Sequence, residues 1–235
     1  MARRVTAWTK GASPPFARHG TTHDPTHDPT HEEHPVYHPE PHDEATGLAE
    51  YVDTQLEALR ASAHGLTEEQ ARQRPTRSAL SIGGIIKHTS YVIRGPEDQR
   101  GSLPEGGEVD EDAYAAFMDT FALREDETLA ETLALFDDRR ATVVAWIRGS
   151  DEDEEIPVGP APWYGRMDTR PARLRYAHVH LVEELARHAG HADIIREQID
   201  GATTLELVLA DTGAPATPFA QPWTPRSPDG TPAAE

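Results

Sequence analysis

Glu184 and His188 stand four residues apart in a segment whose apolar residues recur with a helical period. On a helix their side chains project from adjacent turns and can converge on one cation. With Leu181 at zero and about 100° per residue, Leu174, Ala177, Leu185, Ala192, Ile195 and Ile199 all fall within about 40°. His188 lies inside that stripe, Glu184 about 60° from its centre, and His191 about 80° away on the same flank. A carboxylate and an imidazole one turn apart on the buried side of a helix are costly to bury uncompensated, and a divalent cation would compensate both. By itself the pair is a weak signal, because Glu and His at this spacing occur by chance on many exposed helices. A third ligand from a second helix would strengthen it. His88 is the candidate, one turn from Ile85 and one from Val92 at the margin of another apolar face. The competing reading is a half-buried histidine hydrogen-bonded to a carboxylate, Glu184 included, and proximity alone would not separate the two.

The neighbours offer further chemistry. His191 is an alternative ligand, but its distance from the stripe centre favours a role in orienting the site and assisting catalysis. Arg196, about 60° off on the other side, is the candidate for binding an anionic group of a cosubstrate; an ion pair with an acidic residue of the bundle is the simpler reading. His180 shares the flank of Glu184 and is expected to be exposed. Trp163 and Tyr164 precede the helix and would cover the metal site or, more simply, plug the end of the bundle.

Four long amphipathic helices must position these groups. Leu48, Val52, Leu56, Leu59 and Ala63 predict a first helix from about Glu44 to His64, ended by Gly65. Leu66-Thr67-Glu68-Glu69-Gln70 reads as a capping box opening one short turn of helix. A second long helix runs from about Ser81 to Arg94, and its Gly83-Gly84 pair would let a neighbouring helix come close. Tyr114, Phe117 and Phe121 suggest a minor helix before the third long one, which carries Leu129, Leu133, Phe136, Val143, Val144 and Ile147. The acidic run from Asp151 to Glu155 and the prolines after it predict a long loop, followed by the fourth helix from about Ala172 to Ile199. Leu205, Leu207 and Leu209 alternate as in a strand, but one short run cannot make a sheet, so none is predicted. The fold class is therefore all-α, a four-helix bundle whose sites are built from inward-facing side chains.

The bundle spans 44–201. Residues 1–43 hold seven of the 13 histidines, with the imperfect repeat His23-Asp24-Pro25-Thr26, His27-Asp28-Pro29-Thr30. Proline at that density prevents helix and sheet, so a disordered arm is expected, its histidines either solvated or a loose metal-capture ladder. Residues 202–235 read as a proline-rich tail with Phe219 and Trp223 as aromatics that could dock on the body.

With 235 residues and 41 Asp+Glu against 22 Lys+Arg, the net charge is -19. Such a surface repels phosphate backbones and anionic headgroups, so neither nucleic acid nor a membrane is expected as partner. No stretch approaches the ~20 apolar residues of a membrane span, and no signal peptide is evident, which predicts a cytoplasmic protein. The sequence does not choose an oligomeric state, and a homodimer is among those it allows. There are no cysteines, so any metal must be held by histidine and carboxylate.

The segments Ser81-Ile82-Gly83-Gly84-Ile85-Ile86-Lys87-His88 and Glu183-Glu184-Leu185-Ala186-Arg187-His188-Ala189-Gly190-His191-Ala192-Asp193-Ile194-Ile195-Arg196-Glu197 resemble the two signature stretches of the DinB-like superfamily, in the branch related to mycothiol-dependent maleylpyruvate isomerases. The resemblance covers roughly Glu44 to Gly201. It implies a four-helix bundle holding a divalent metal, zinc or nickel in its place, through a histidine of the second helix and a Glu and His of the last. Carried over, the ligands are His88, Glu184 and His188. Maleylpyruvate isomerases also carry a folded C-terminal lobe, and only a short proline-rich segment follows Gly201, so that isomerisation is not expected. Three protein ligands leave a position open, the catalytic arrangement. The activity implied is a metal-dependent thiol S-transferase that activates a low-molecular-weight thiol, mycothiol, toward a small electrophile. The alternatives are a metal-dependent hydrolase, with activated water assisted by His191 or Glu183, and a non-catalytic metal-binding, stress-related protein.

Overall fold

The computed structural model describes residues 41–95, 111–159, 161 and 164–225. Four of its helices begin where a side-chain oxygen meets free backbone N–H groups. The Asp43 carboxylate accepts from Thr46 N (2.8 Å) and opens α1, Glu44–Ser62. Thr67 and Gln70 close the expected capping box at the start of α2, Glu68–Arg72. Ser81 caps α3, Ile82–Val92, through Gly84 N. Helix α4 spans Glu111–Asp119, and Thr128 caps α5, Leu129–Arg148. Helix α6, Leu174–Asp200, ends at Gly201, whose φ of 73° is the left-handed conformation that stops a helix with little strain.

Helices α1, α5, α3 and α6 form a ring in which each packs on two neighbours, with α1 between α5 and α6 and α3 facing it between the same two. Helices α1 and α6 run parallel: Arg175 pairs with Glu44 (3.2 Å) at their starts, and Arg196 reaches the Ser62 carbonyl (2.8 Å) at their ends. Helix α5 runs against α1, its Asp137 beside Arg60 and its Arg140 on Asp53 (2.6 Å). Helix α3 follows the direction of α5. Both start beside α2, Leu129 N donating to Glu68 (2.8 Å), and Arg139 reaches the Ser90 carbonyl (2.7 Å) further along. Two parallel neighbours need a return crossover, and the stretch that contains α4 supplies it.

Val52, Leu56 and Leu59 of α1, Ile82, Ile85 and Ile86 of α3, Phe136, Val143 and Ile147 of α5, and Leu185, Ala192 and Ile195 of α6 fill the centre. Each of the larger ones contributes about 1.5–3 kcal/mol by its burial, which is what holds four otherwise marginal helices together. The expected all-α four-helix bundle is thus the architecture.

The structure differs from the sequence reading in three places. A two-stranded antiparallel sheet, β1 (Glu155–Val158) with β2 (Arg170–Arg173), stands in the expected loop. Pro157 and Pro171 face each other in it. On a two-stranded ribbon, prolines fit a pair whose N–H groups would point away from the partner strand, so residues read as breakers are tolerated. Leu205, Leu207 and Leu209 belong instead to a further helix, α7 (Thr204–Thr212), opened by a capping box of Thr203 and Glu206, with Leu207, Val208 and Leu209 buried. The segment after Gly201 is therefore partly helical, and Leu207 and Val208 share a small core with Ala61. Of the two aromatics expected to dock, Trp223 packs on that core, whereas Phe219 is 91% exposed.

Apart from Pro41 to Asp43, the histidine-rich arm of residues 1–43 lies outside the described residues. Among the described residues no helix is long and apolar enough to cross a membrane.

Candidate metal centre

His88 stands on the second turn of α3 and is 2% exposed; His188, on α6 where the buried stripe predicted it, is 7% exposed. The antiparallel packing of α3 on α6 brings their rings to 5.0 Å between centroids, tilted by 70°. Glu184 Oε1 lies 3.3 Å from His188 Nε2, with a third of the Glu184 side chain open to solvent. One ligand atom from each of His88, Glu184 and His188 lies within 4.8 Å of both others.

The donors fit a divalent cation. Neither ring nitrogen of His188 makes a well-aligned hydrogen bond, Nε2 meeting only the Glu184 carboxylate at 3.3 Å, and a buried imidazole in that state is rare in folded proteins unless an ion or a water completes one of its nitrogens. Burial pushes the His88 imidazole down to about 4, with the neighbouring His188 adding to the effect. Burial also lowers His188, against the opposing pull of the Glu184 carboxylate. Both imidazoles are thereby kept neutral at pH 7, the form that offers a lone pair.

Residues outside the sequence-read set complete the surroundings of His88. Its Nδ1 lies 2.8 Å from Thr120 Oγ1, which donates to the Phe117 carbonyl (2.6 Å). Phe121 stacks on the ring at 3.9 Å, and Phe117 meets it edge-on at 5.6 Å. The sequence signal for this wall was present in Phe117 and Phe121, read only as the apolar side of a minor helix. Two hollows of about 250 Å³ and 270 Å³ lie elsewhere, one between the start of α1 and residues 150–153, the other on the hairpin. The donor set, not concavity, singles out this place.

The sequence pattern of the mycothiol-S-transferase family matches residues 47–201. The chain belongs to this family. The matched span contains all three clustered residues and agrees with the DinB-like resemblance of the two segments that carry them. Among solved structures the chain is similar to YfiT from Bacillus subtilis, described as a probable metal-dependent hydrolase with an unusual four-helix bundle topology. The identity is 14%, the coverage 71% of this chain and 95% of that one, and the TM-score 0.48. No curated protein matches the sequence.

Other residues singled out from the sequence take different places. His191 is exposed, its ring 6.3 Å from that of His188, on the open flank of the cluster. Arg196 is not available to an anionic cosubstrate group. It is 0% exposed, pairs with Asp200 (2.8 Å), and donates to the carbonyls of Ser62 (2.8 Å) and His64 (2.6 Å) beneath the ring of Trp223. The physical reason is the approach of α1 to α6 at that level, which leaves two α1-end carbonyls facing the guanidinium and encloses it; the ion-pair reading holds. His180 is exposed beside Glu183, as expected. Tyr164 is 77% exposed and so does not plug the bundle, and Trp163 lies outside the described residues. His178, given no role in the sequence reading, is buried against Glu152 (2.8 Å) and the edge of Trp146, where it ties the turn after α5 to the start of α6.

Proposed function

We infer that the protein is a metal-dependent thiol S-transferase that activates a low-molecular-weight thiol, mycothiol being the one the family implies, for transfer to a small electrophile. His88, Glu184 and His188 would hold the metal, zinc or nickel in its place. The observation that carries the reading is the pair of buried, neutral imidazoles beside a carboxylate, with His188 Nε2 facing only the Glu184 carboxylate at 3.3 Å and His188 Nδ1 without a hydrogen-bond partner. A divalent ion held there would lower the pKa of a coordinated thiol, so that it reacts as thiolate at neutral pH.

The chain's own residues supply the rest. His88 and His188 are buried and fixed, whereas Glu184 is partly open to solvent, so the approach for a cosubstrate lies on the Glu184 side. His191 stands on that flank, where an exposed imidazole can take the thiol proton at a ring nitrogen and pass it to water. Phe117 and Phe121 present an apolar wall that keeps water from His88. The protein contains no cysteine, so the sulfur must come from the cosubstrate.

The test is a titration of cobalt-substituted protein with mycothiol. Sulfur-to-metal charge-transfer absorption is expected, with release of about one proton per thiol bound, and both should vanish in His88→Ala. A metal-loaded protein that shows no thiol-dependent spectral change, yet hydrolyses an activated ester without thiol, would overturn the transferase reading in favour of the hydrolase.

A further inference from the structure

His88 is the one member of the cluster supplied by a different helix, and a ligand histidine must present the correct nitrogen. A neutral imidazole carries a single proton, so one nitrogen donates and only the other offers a lone pair. In water both forms interchange freely. Here the choice is made by Thr120. Its hydroxyl has one proton, and the Phe117 carbonyl, 2.6 Å from Oγ1, can only accept. With that proton committed, Oγ1 turns a lone pair toward His88 Nδ1 at 2.8 Å, and Nδ1 must carry the imidazole proton. Nε2 is left with the lone pair. The stacked Phe121 ring, 19° from coplanar, holds the imidazole plane and resists its rotation.

Thr120 belongs to the segment that follows α4, and two features of α3 seat that segment. At Gly84, one turn before His88, an added Cβ would overlap the Phe121 carbonyl, and at Gly83 it would come within 2.9 Å of Leu123. The glycine pair thus admits a crossing backbone, not the neighbouring helix its sequence suggested. Lys87, next to His88, spends its three N–H donors on Asp119 (3.0 Å), the Ala122 carbonyl (3.1 Å) and Glu127 (2.9 Å), acceptors that bracket Thr120 on both sides.

We propose that Thr120 is a positioning residue that locks His88 in the Nδ1–H tautomer with Nε2 free for a metal, and that Gly84 and Lys87 form the seat that holds it there. The proposal rests on the metal-site reading above, but its central claim concerns the metal-free protein.

The experiment uses the full chain, labelled with 15N-histidine and stripped of metal, with the His88 signals assigned by their loss in His88→Gln. Long-range 1H–15N spectra report which ring nitrogen is protonated. Wild type and Thr120→Ser should show His88 protonated at Nδ1. Thr120→Val, which keeps the branching and removes the hydroxyl, should shift the population toward Nε2–H, and Gly84→Ala, which displaces the segment, should do the same. Zinc affinity by chelator competition should fall about 10- to 100-fold in Thr120→Val, the usual cost of losing the partner that orients a ligand histidine, and return in Thr120→Ser. Helical circular dichroism of Thr120→Val should match wild type, so that the loss is not one of folding. A Thr120→Val protein that keeps the Nδ1–H tautomer and wild-type zinc affinity would overturn the proposal, as would equal losses in Thr120→Val and Thr120→Ser. If wild type itself fails to bind zinc, the metal-site reading falls, while the tautomer comparison still decides the role of Thr120.

Discussion

Replacing His188 by leucine should change stability in opposite directions with and without metal. In the metal-free protein His188 Nδ1 is buried with no hydrogen-bond partner, and Nε2 has only the Glu184 carboxylate, 3.3 Å away and not in hydrogen-bond alignment. A buried polar group left in that state costs about 1–3 kcal/mol, and leucine fills a similar volume without the cost. Glu184 keeps a third of its side chain in solvent, so removing its neighbour does not strand a charge. His188→Leu in excess chelator should therefore melt above wild type, by about 2–12 °C for a chain of this size. In excess zinc the order should reverse. At a free concentration about 1,000 times the dissociation constant, binding adds about 4 kcal/mol to wild type and nothing to a variant without the ligand. Scanning calorimetry of both proteins, in chelator and in zinc, gives four melting temperatures and the crossing. The histidines of residues 1–43 are common to both proteins, so any metal they capture cancels from the comparison. If His188→Leu melts below wild type in chelator, the ring nitrogens are satisfied in solution and the orphan argument is wrong. Equal stabilisation of both proteins by zinc would show that His188 is not a ligand.

Metal-free wild type should lose stability on acidification. His88 is depressed from 6.5 to about 4, so the unfolded chain takes up the proton first; the contribution is whole above pH 6.5 and is lost as pH falls toward 4. At about 1.4 kcal/mol per pH unit the His88 share of the loss is on the order of 3 kcal/mol, seen as a falling urea midpoint, and His88→Gln should make the fall shallower, leaving the smaller part that the likewise depressed His188 contributes; an equally steep fall in that variant would put the effect elsewhere. Arg196→Met should cost about 3–5 kcal/mol, because it strands Asp200 and two backbone carbonyls, yet leave the thiol-dependent spectrum intact in protein that remains folded. A stable Arg196→Met protein that no longer responds to thiol would restore a cosubstrate role for Arg196.

The four long helices and the inward direction of His188 were legible in the sequence, because both follow from a 3.6-residue period that any helix must obey. Glu184 beside His188 is equally local, a matter of one turn, and the two segments that resemble the DinB-like signatures named His88 as their partner. What linear spacing does not contain is which helix packs on which. Only the antiparallel contact of α3 with α6 places His88 5.0 Å from His188. Only the parallel approach of α1 to α6 encloses Arg196 and turns a candidate binding residue into a structural pin. Thr120 carried no sequence signal, since a threonine becomes the partner of a histidine 32 positions away through the path of the chain between them. The Gly83-Gly84 pair announced a close approach, but the identity of what approaches was a tertiary fact. The hairpin and α7 show the same limit from the other side. Two prolines are breakers until the register of a hairpin turns their missing donors away from the partner strand, and three alternating leucines give no helical period until a capping box and a waiting apolar surface on α1 fold them into a helix.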